Sequence, residues 1–335
     1  MALEQAWYRK ASWLIMLRPL SAVFTALADR RRRQYLNGSK PVWRASVPVI
    51  VVGNISVGGT GKSPLVIWLV NWLRQQGYKP GVVSRGYGAK PPAFPFIVTP
   101  ATLPSEGGDE PVMIARRTSV PLVIDPDRPA AVRHLQQSFD CDIIISDDGM
   151  QHYALGRDIE IAVIDGQRGV ANGRCLPEGP LREPVERLAS VDLIVVNGKA
   201  AQPSGYSYSE MHLQPGRVHS VDVNNGVLPD FLHNFAETHP SVHGVAAIGN
   251  PERFFSVLEG HGLTVERHAF SDHHAYQMED FSFVGGESII MTEKDAVKCA
   301  HLPLKNAWYL PVDAQLDDGF AEQLTERLQA LKYDK

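Results

Sequence analysis

Eight residues, Ser56-Val57-Gly58-Gly59-Thr60-Gly61-Lys62-Ser63, combine small side chains, one cation and three hydroxyls at the spacing of a phosphate-binding loop. Without Cβ atoms in the way, the backbone N–H groups of Gly58, Gly59 and Gly61 can close around phosphate oxygens. Lys62 supplies positive charge, and Ser63 a hydroxyl suited to Mg²⁺. The strict pattern has glycine six positions before the lysine, where this chain has Ser56; the physical parts are otherwise complete. A glycine turn with no ligand would leave a lysine at a buried helix start without an anionic partner.

Five further clusters have chemical content. Asp147-Asp148-Gly149 follows the apolar run Ile143-Ile144-Ile145, and an acidic strand end beside a phosphate loop is placed to hold Mg²⁺. Gly107-Gly108-Asp109-Glu110-Pro111 offers Asp109 either as a proton acceptor for an attacking hydroxyl or as a plain helix cap. Ser271-Asp272-His273-His274 puts a histidine next to a carboxylate, which can fix its geometry and raise its basicity. The adjacent histidines lack helical metal-ligand spacing and no His-Glu-x-x-His occurs, so zinc is not expected. Ser84-Arg85-Gly86-Tyr87-Gly88 and Gly179-Pro180-Leu181-Arg182-Glu183-Pro184 add a cation, an aromatic ring and a charged pair on short loops.

The elements that must position these groups are readable too. Val49 to Val52 form an apolar run before the loop, and Leu65, Trp68, Leu69, Trp72 and Leu73 recur at helical steps after it. Short apolar runs at 81–84, 120–124 and 141–146 alternate with helical stretches, which predicts βαβ units in a parallel sheet of the P-loop NTPase type, sandwiched by helices. Such sheets bind ligands beyond the carboxyl ends of their strands. Further strands are expected at 159–164, 193–196, 245–248, 288–291 and 308–312. We divide the chain into residues 1–40, a P-loop domain at 41–150, and a second, smaller α/β domain at 151–335, with room for a C-terminal segment that returns to the first. The Pro-, Gly-, Ser- and His-rich region 200–243 reads as loops.

The 335 residues are 44% hydrophobic and carry a net charge of -4, which excludes general nucleic-acid binding by charge. Three scattered cysteines suggest a reducing, cytoplasmic compartment rather than a disulfide framework. Residues 3–28 hold Trp7, Trp13, Leu14, Ile15, Leu17, Leu20, Val23, Phe24 and Leu27, and Arg30-Arg31-Arg32-Arg33 follows. Interrupted by Arg18-Pro19, this segment falls short of the roughly 20 apolar residues of a membrane span. It lacks the cleavage site of a signal peptide and reads as a helix lying in a membrane interface, its arginines at anionic headgroups.

Taken in order, the motifs resemble the tetraacyldisaccharide 4'-kinase family, the lipid A 4'-kinases (LpxK). The matching runs include the phosphate loop, Ser84 to Gly88, Gly108 to Pro111 and Asp147-Asp148-Gly149-Met150-Gln151-His152. Leu176 to Glu183, Asp272-His273 and Met291-Thr292-Glu293-Lys294-Asp295 complete them. The resemblance implies transfer of the γ-phosphate of ATP to the 4'-hydroxyl of a tetraacyldisaccharide 1-phosphate, with Mg²⁺, at the cytoplasmic face of a bacterial inner membrane. It implies two α/β/α domains and a membrane-associating N-terminal helix, with no nucleic-acid or protein partner. Asp109 matches the family's catalytic base and His273 its partner. Lys62 matches the phosphate contact; Ser63, Asp147, Asp148 and Glu183 match metal positions, Asp148 also a catalytic one. Arg85, Tyr87 and Arg182 match substrate-side positions. A membrane-associated nucleotide switch acting on a protein partner is the competing reading.

Overall fold

The computed structural model describes residues 3–199, 205–222, 227–283 and 285–333. Two sheets organise them. The strands in chain order are β1 (Val49–Gly53), β2 (Pro80–Ser84), β3 (Phe96–Val98), β4 (Leu122–Ile124), β5 (Ile143–Asp147), β6 (Ile159–Asp165), β7 (Leu193–Asn197) and β8 (Ser209–Pro215). They continue with β9 (Arg217–Ser220), β10 (Asp230–Phe231), β11 (Ser241–Ala246), β12 (Thr264–Ala269), β13 (Ser288–Thr292), β14 (Ala307–Leu310) and β15 (Val312–Leu316). The first sheet has nine strands in the order β15-β8-β7-β6-β1-β5-β2-β4-β3; the second has six, β10-β9-β14-β13-β11-β12.

In the first sheet β1 lies between β5 and β6 and is parallel to both, with Val52 opposite Asp147 and Ile161. The phosphate loop leaving β1 and the acidic end of β5 are thereby neighbours, at the carboxyl edge where doubly wound sheets bind ligands. Every residue of β1, β5, β6 and β7 is buried, as parallel strands covered on both faces must be. Leu65, Leu69 and Leu73 of the helix Lys62–Gln75 fill one side. Phe320, Leu324 and Leu328 of the last helix, Asp318–Tyr333, join the same core.

The first sheet runs past residue 150: β6, β7 and β8 extend it, and the division drawn from the sequence falls between two of its strands. The chain crosses to the second sheet at Gly216 and returns at Pro311, where the Gly216 N–H donates to the Pro311 carbonyl at 2.9 Å. Region 200–243, read as loops, contains β8, β9, β10, the start of β11 and the helix Leu232–Thr238 among its described residues. Its polar residues obscure strands that are only partly buried. Residues 200–204 and 223–226 lie outside the described residues.

At the N-terminus, a short helix (Leu3–Arg9) and a 3₁₀ turn (Ser12–Leu17) lead into the helix Arg18–Leu36. Trp7 and Leu14, expected in a membrane interface, are buried against the protein itself beside Val57 and Leu176. Trp7 Nε1 donates to the Pro177 carbonyl at 2.9 Å, and Ser21 Oγ to the Cys175 carbonyl at 2.7 Å.

Candidate active site

Gly61 caps the helix Lys62–Gln75 at φ +93°, a conformation that glycine adopts without steric cost. A Cβ there would stand 2.4 Å from Asn197 Nδ2. That amide nitrogen donates to the Thr60 carbonyl at 3.1 Å, while Asn54 Nδ2 donates to Thr60 Oγ1 at 3.3 Å. Two buried asparagines thus hold the loop from the ends of β1 and β7. On its other flank the Val57 N–H donates to the Pro180 carbonyl (2.9 Å) and the Arg182 N–H to the Ile55 carbonyl (2.6 Å). This zips the Arg182 loop onto the phosphate loop.

Arg182 Nη1 reaches Asp148 Oδ2 at 3.1 Å, and Lys62 Nζ stands 3.5 Å from Asp148 Oδ1. Burial disfavours the Asp148 charge, but Lys62 and then Arg182 outweigh it and hold the carboxyl far below the usual range. Asp148 sits at φ +46°, and a Cβ on Gly149 would meet Ser146 Oγ at 2.5 Å. The Asp-Asp-Gly turn therefore needs that glycine. Asp147 differs from its neighbour: its Oδ2 accepts from Ser84 Oγ at 3.1 Å, while Oδ1 is buried with no partner. Burial, then Glu110 and Asp148, push its carboxyl up to about 7. A buried carboxylate crowded by like charge, with one oxygen unanswered and the Ser63 hydroxyl nearby on the loop, is a hard oxygen set that suits Mg²⁺.

Glu183 lines the same cleft. Its Oε2 accepts from Gln151 Nε2 at 2.9 Å, its Oε1 from the Tyr153 hydroxyl, and Arg187 Nε lies 3.8 Å away. Both oxygens are engaged within the protein, so Glu183 braces the Arg182 loop while its side chain lines the cleft beside Gln151 and Tyr153.

The opposing wall brings two distant segments together. Asp109 opens the helix Asp109–Thr118 of the first sheet's layer; His273 lies beyond β12 of the second sheet. Their side chains meet, His273 Nδ1 to Asp109 Oδ2, at 3.0 Å. Burial opposes the Asp109 charge, but the His273 hydrogen bond and then the Lys294 charge hold the carboxyl down at about 2. The same hydrogen bond raises the His273 ring above the ordinary histidine range. The Tyr87 ring lies 4.9 Å from the His273 ring, centre to centre. Arg85 is exposed at the mouth.

Lys294, to which sequence reasoning gave no role, stands 2.9 Å from Glu110, 3.2 Å from Asp272 and 3.6 Å from Asp109. It is the second residue of the helix Glu293–Cys299, which directly follows β13, and its place behind a strand end was the available signal. Lys294→Met should leave three carboxylates facing one another. Misplacing the Asp109 base in this way is expected to lower turnover on the order of 10²-fold, with ATP affinity retained. Single-turnover phosphoryl transfer measures this, and normal turnover would refute the role.

Lys62, Asp109, Asp147, Asp148, Arg182 and His273 all line one cleft of about 1070 Å³ between the sheets, as do Phe24 and Leu27 of the N-terminal helix. The family model for tetraacyldisaccharide-1-P 4'-kinase (LpxK) matches residues 13–329. The chain belongs to this family. As a tetraacyldisaccharide-1-P 4'-kinase family member it is 48% identical to the tetraacyldisaccharide 4'-kinase of Azotobacter vinelandii over 98% of this chain and 97% of that protein. Against the enzyme of Methylobacillus flagellatus the identity is 48%, over 98% and 96%. A crystal structure of LpxK from Aquifex aeolicus, described as the "apo" form in complex with ATP, superposes with a TM-score of 0.79. It shares 26% identity and covers 95% of this chain and 99% of that one. The 4'-kinase fold, with its P-loop sheet, is therefore that of this chain.

Proposed function

We propose that this 4'-kinase moves the γ-phosphate of ATP to the 4'-hydroxyl of a tetraacyldisaccharide 1-phosphate at the inner membrane's cytoplasmic face. The observation that carries the reading is the meeting of Asp109 and His273 across the cleft from Lys62. An acceptor hydroxyl in that cleft has a base on one side and a phosphate cradle on the other. Backbone N–H groups of residues 58–61 and Lys62 bind and orient the β- and γ-phosphates. Asp109, oriented by His273, takes the hydroxyl proton. Arg85, Tyr87 and Arg182 contact the substrate side, and the space between the sheets limits access of water. Ser63 and Asp147 would hold Mg²⁺, with Asp148 beside them; the ion would neutralise phosphate charge.

The helix Arg18–Leu36 supports a membrane site for this reaction. Leu20, Val23 and Leu27 are 61%, 59% and 59% exposed, and their spacing puts them on one helical face. Trp13, Ile15 and Met16 are exposed in the preceding turn. Among the described residues no single helix is long and apolar enough to cross a membrane; one pair bent by 110° passes by length and composition together. An interfacial seat near the cleft would present an acyl substrate that barely dissolves in water. Changing Leu20, Val23 and Leu27 together to Ser should weaken binding to anionic vesicles on the order of 10²-fold. Co-sedimentation measures it, and undiminished binding would sink the membrane role of this face.

The reading itself is tested with purified protein, labelled ATP, Mg²⁺ and the lipid A disaccharide precursor. A labelled 4'-phosphate product is expected. ATP hydrolysis that needs no acceptor and yields no phosphorylated lipid would favour the nucleotide switch.

A further inference from the structure

On the second sheet, away from the cleft-forming strand ends, β11 and β12 are parallel neighbours in which His243 is opposite Glu266 and Val245 opposite His268. Glu266 and His268, two residues apart on one strand, share a face, and His243 meets them there. His243 Nδ1 lies 3.0 Å from His268 Nε2 and 3.6 Å from Glu266 Oε2, and His268 Nε2 lies 3.6 Å from Glu266 Oε1. We propose that His243, Glu266 and His268 form a binding site for a borderline divalent cation of the zinc class.

The proton inventory favours a cation. Between neutral rings, one N–H can satisfy the contact between His243 and His268. His243 Nδ1 and His268 Nε2 then share that one hydrogen, and neither nitrogen has a second to give the Glu266 carboxylate beside them, which only accepts. A cation at the centre satisfies all three atoms at once. In tetrahedral zinc sites with bonds near 2.0–2.2 Å, ligand atoms lie roughly 3.3–3.5 Å apart, close to the separations here. Imidazole and carboxylate suit zinc, and three protein ligands leave a fourth position open. The surroundings are built as well. His243 Nε2 stands 3.7 Å from Glu287 Oε2, the second carboxylate that orients ligating histidines in such sites. The His268 ring stacks on Phe283 at 3.6 Å and 7°. Spacing along the sequence conceals the set, because strand pairing alone brings residue 243 to 266 and 268. A bound ion would pin the edge strand β12 to β11.

The test uses the full chain, stripped with chelator, free of nucleotide, and titrated with Zn²⁺ or Co²⁺ alone. One tight equivalent is expected, with the visible absorption of four-coordinate Co²⁺ and a rise in melting temperature. Glu266→Gln and His268→Asn should abolish all three signals, and Glu287→Gln should weaken binding about 10–100-fold. His273→Gln should leave them intact, separating this site from the cleft. Glu266 is 67% exposed, so Glu266→Gln should fold and retain kinase turnover with Mg²⁺-ATP. Binding equally tight in Glu266→Gln, binding lost instead in His273→Gln, or no binding at all would overturn the proposal.

Discussion

Asp109→Ala is expected to lower phosphoryl transfer about 10²–10⁴-fold, the range of a general base, while ATP affinity stays near that of the unaltered protein. The carboxyl lies on the acceptor side of the cleft, and the phosphate loop is held by Asn54, Asn197 and the Arg182 loop without it. Turnover within about tenfold of normal would dismiss Asp109 as the base. The pH profile sharpens the test. With His273 charged and Lys294 close by, Asp109 is held at about 2 and is a weak base. As pH rises through the elevated pKa of His273, the ring loses its charge and Asp109 regains basicity. The transfer rate should therefore climb with pH across that titration and level off above it. His273→Gln should lose the climb; a variant that keeps it would assign the titration to another group.

Arg187→Met should destabilise the protein by about 3 kcal/mol, the lower end of the range for breaking a buried ion pair from one side. Arg187 is almost fully buried; it pairs with Glu160 through Nη2 and approaches Glu183 Oε2 at 3.8 Å. Removing the guanidinium strands the Glu183 charge beside the Tyr153 hydroxyl, while Glu160 keeps Arg157 at 2.7 Å. That remaining partner is why the lower end applies. For a chain of this size the melting temperature should fall by about 4 °C. Activity should fall as well, because Glu183 tethers the loop that presents Arg182. A melting temperature within about 2 °C of normal would show that the network contributes little net stability, as some buried ion pairs do.

Both predictions concern groups whose partners are remote in the chain, and this separates what was readable from what was not. The phosphate loop, the acidic end of β5 and their shared edge were legible because each depends on a strand and the few residues after it. Local propensity and hydrophobic period fix such units. The site pair Asp109–His273 was named from family resemblance, since its members are 164 residues apart. The partners of the adjacent cleft residues Arg182 and Glu183 were likewise hidden: Arg182 meets Asp148, while the Glu183 carboxylate meets Tyr153 and Gln151. The extent of the first sheet also escaped the sequence reading. A buried apolar strand carries no label for which of two sheets it will join.

The sequence by itself therefore determined the nucleotide cradle, the parallel sheet behind it and the apolar, basic N-terminal helix. These follow from short-range backbone geometry and side-chain periodicity. Only the tertiary structure decided that the chain crosses between sheets at Gly216 and Pro311, so that Lys294 and His273 face Asp109. It alone seated Trp7 and Leu14 against the body and left Leu20, Val23 and Leu27 outward. It alone drew His243, Glu266 and His268 together. The physical reason is common to all of these. Such contacts form when apolar surfaces select one packing among many, and that selection depends on the whole chain's burial rather than on any local spacing.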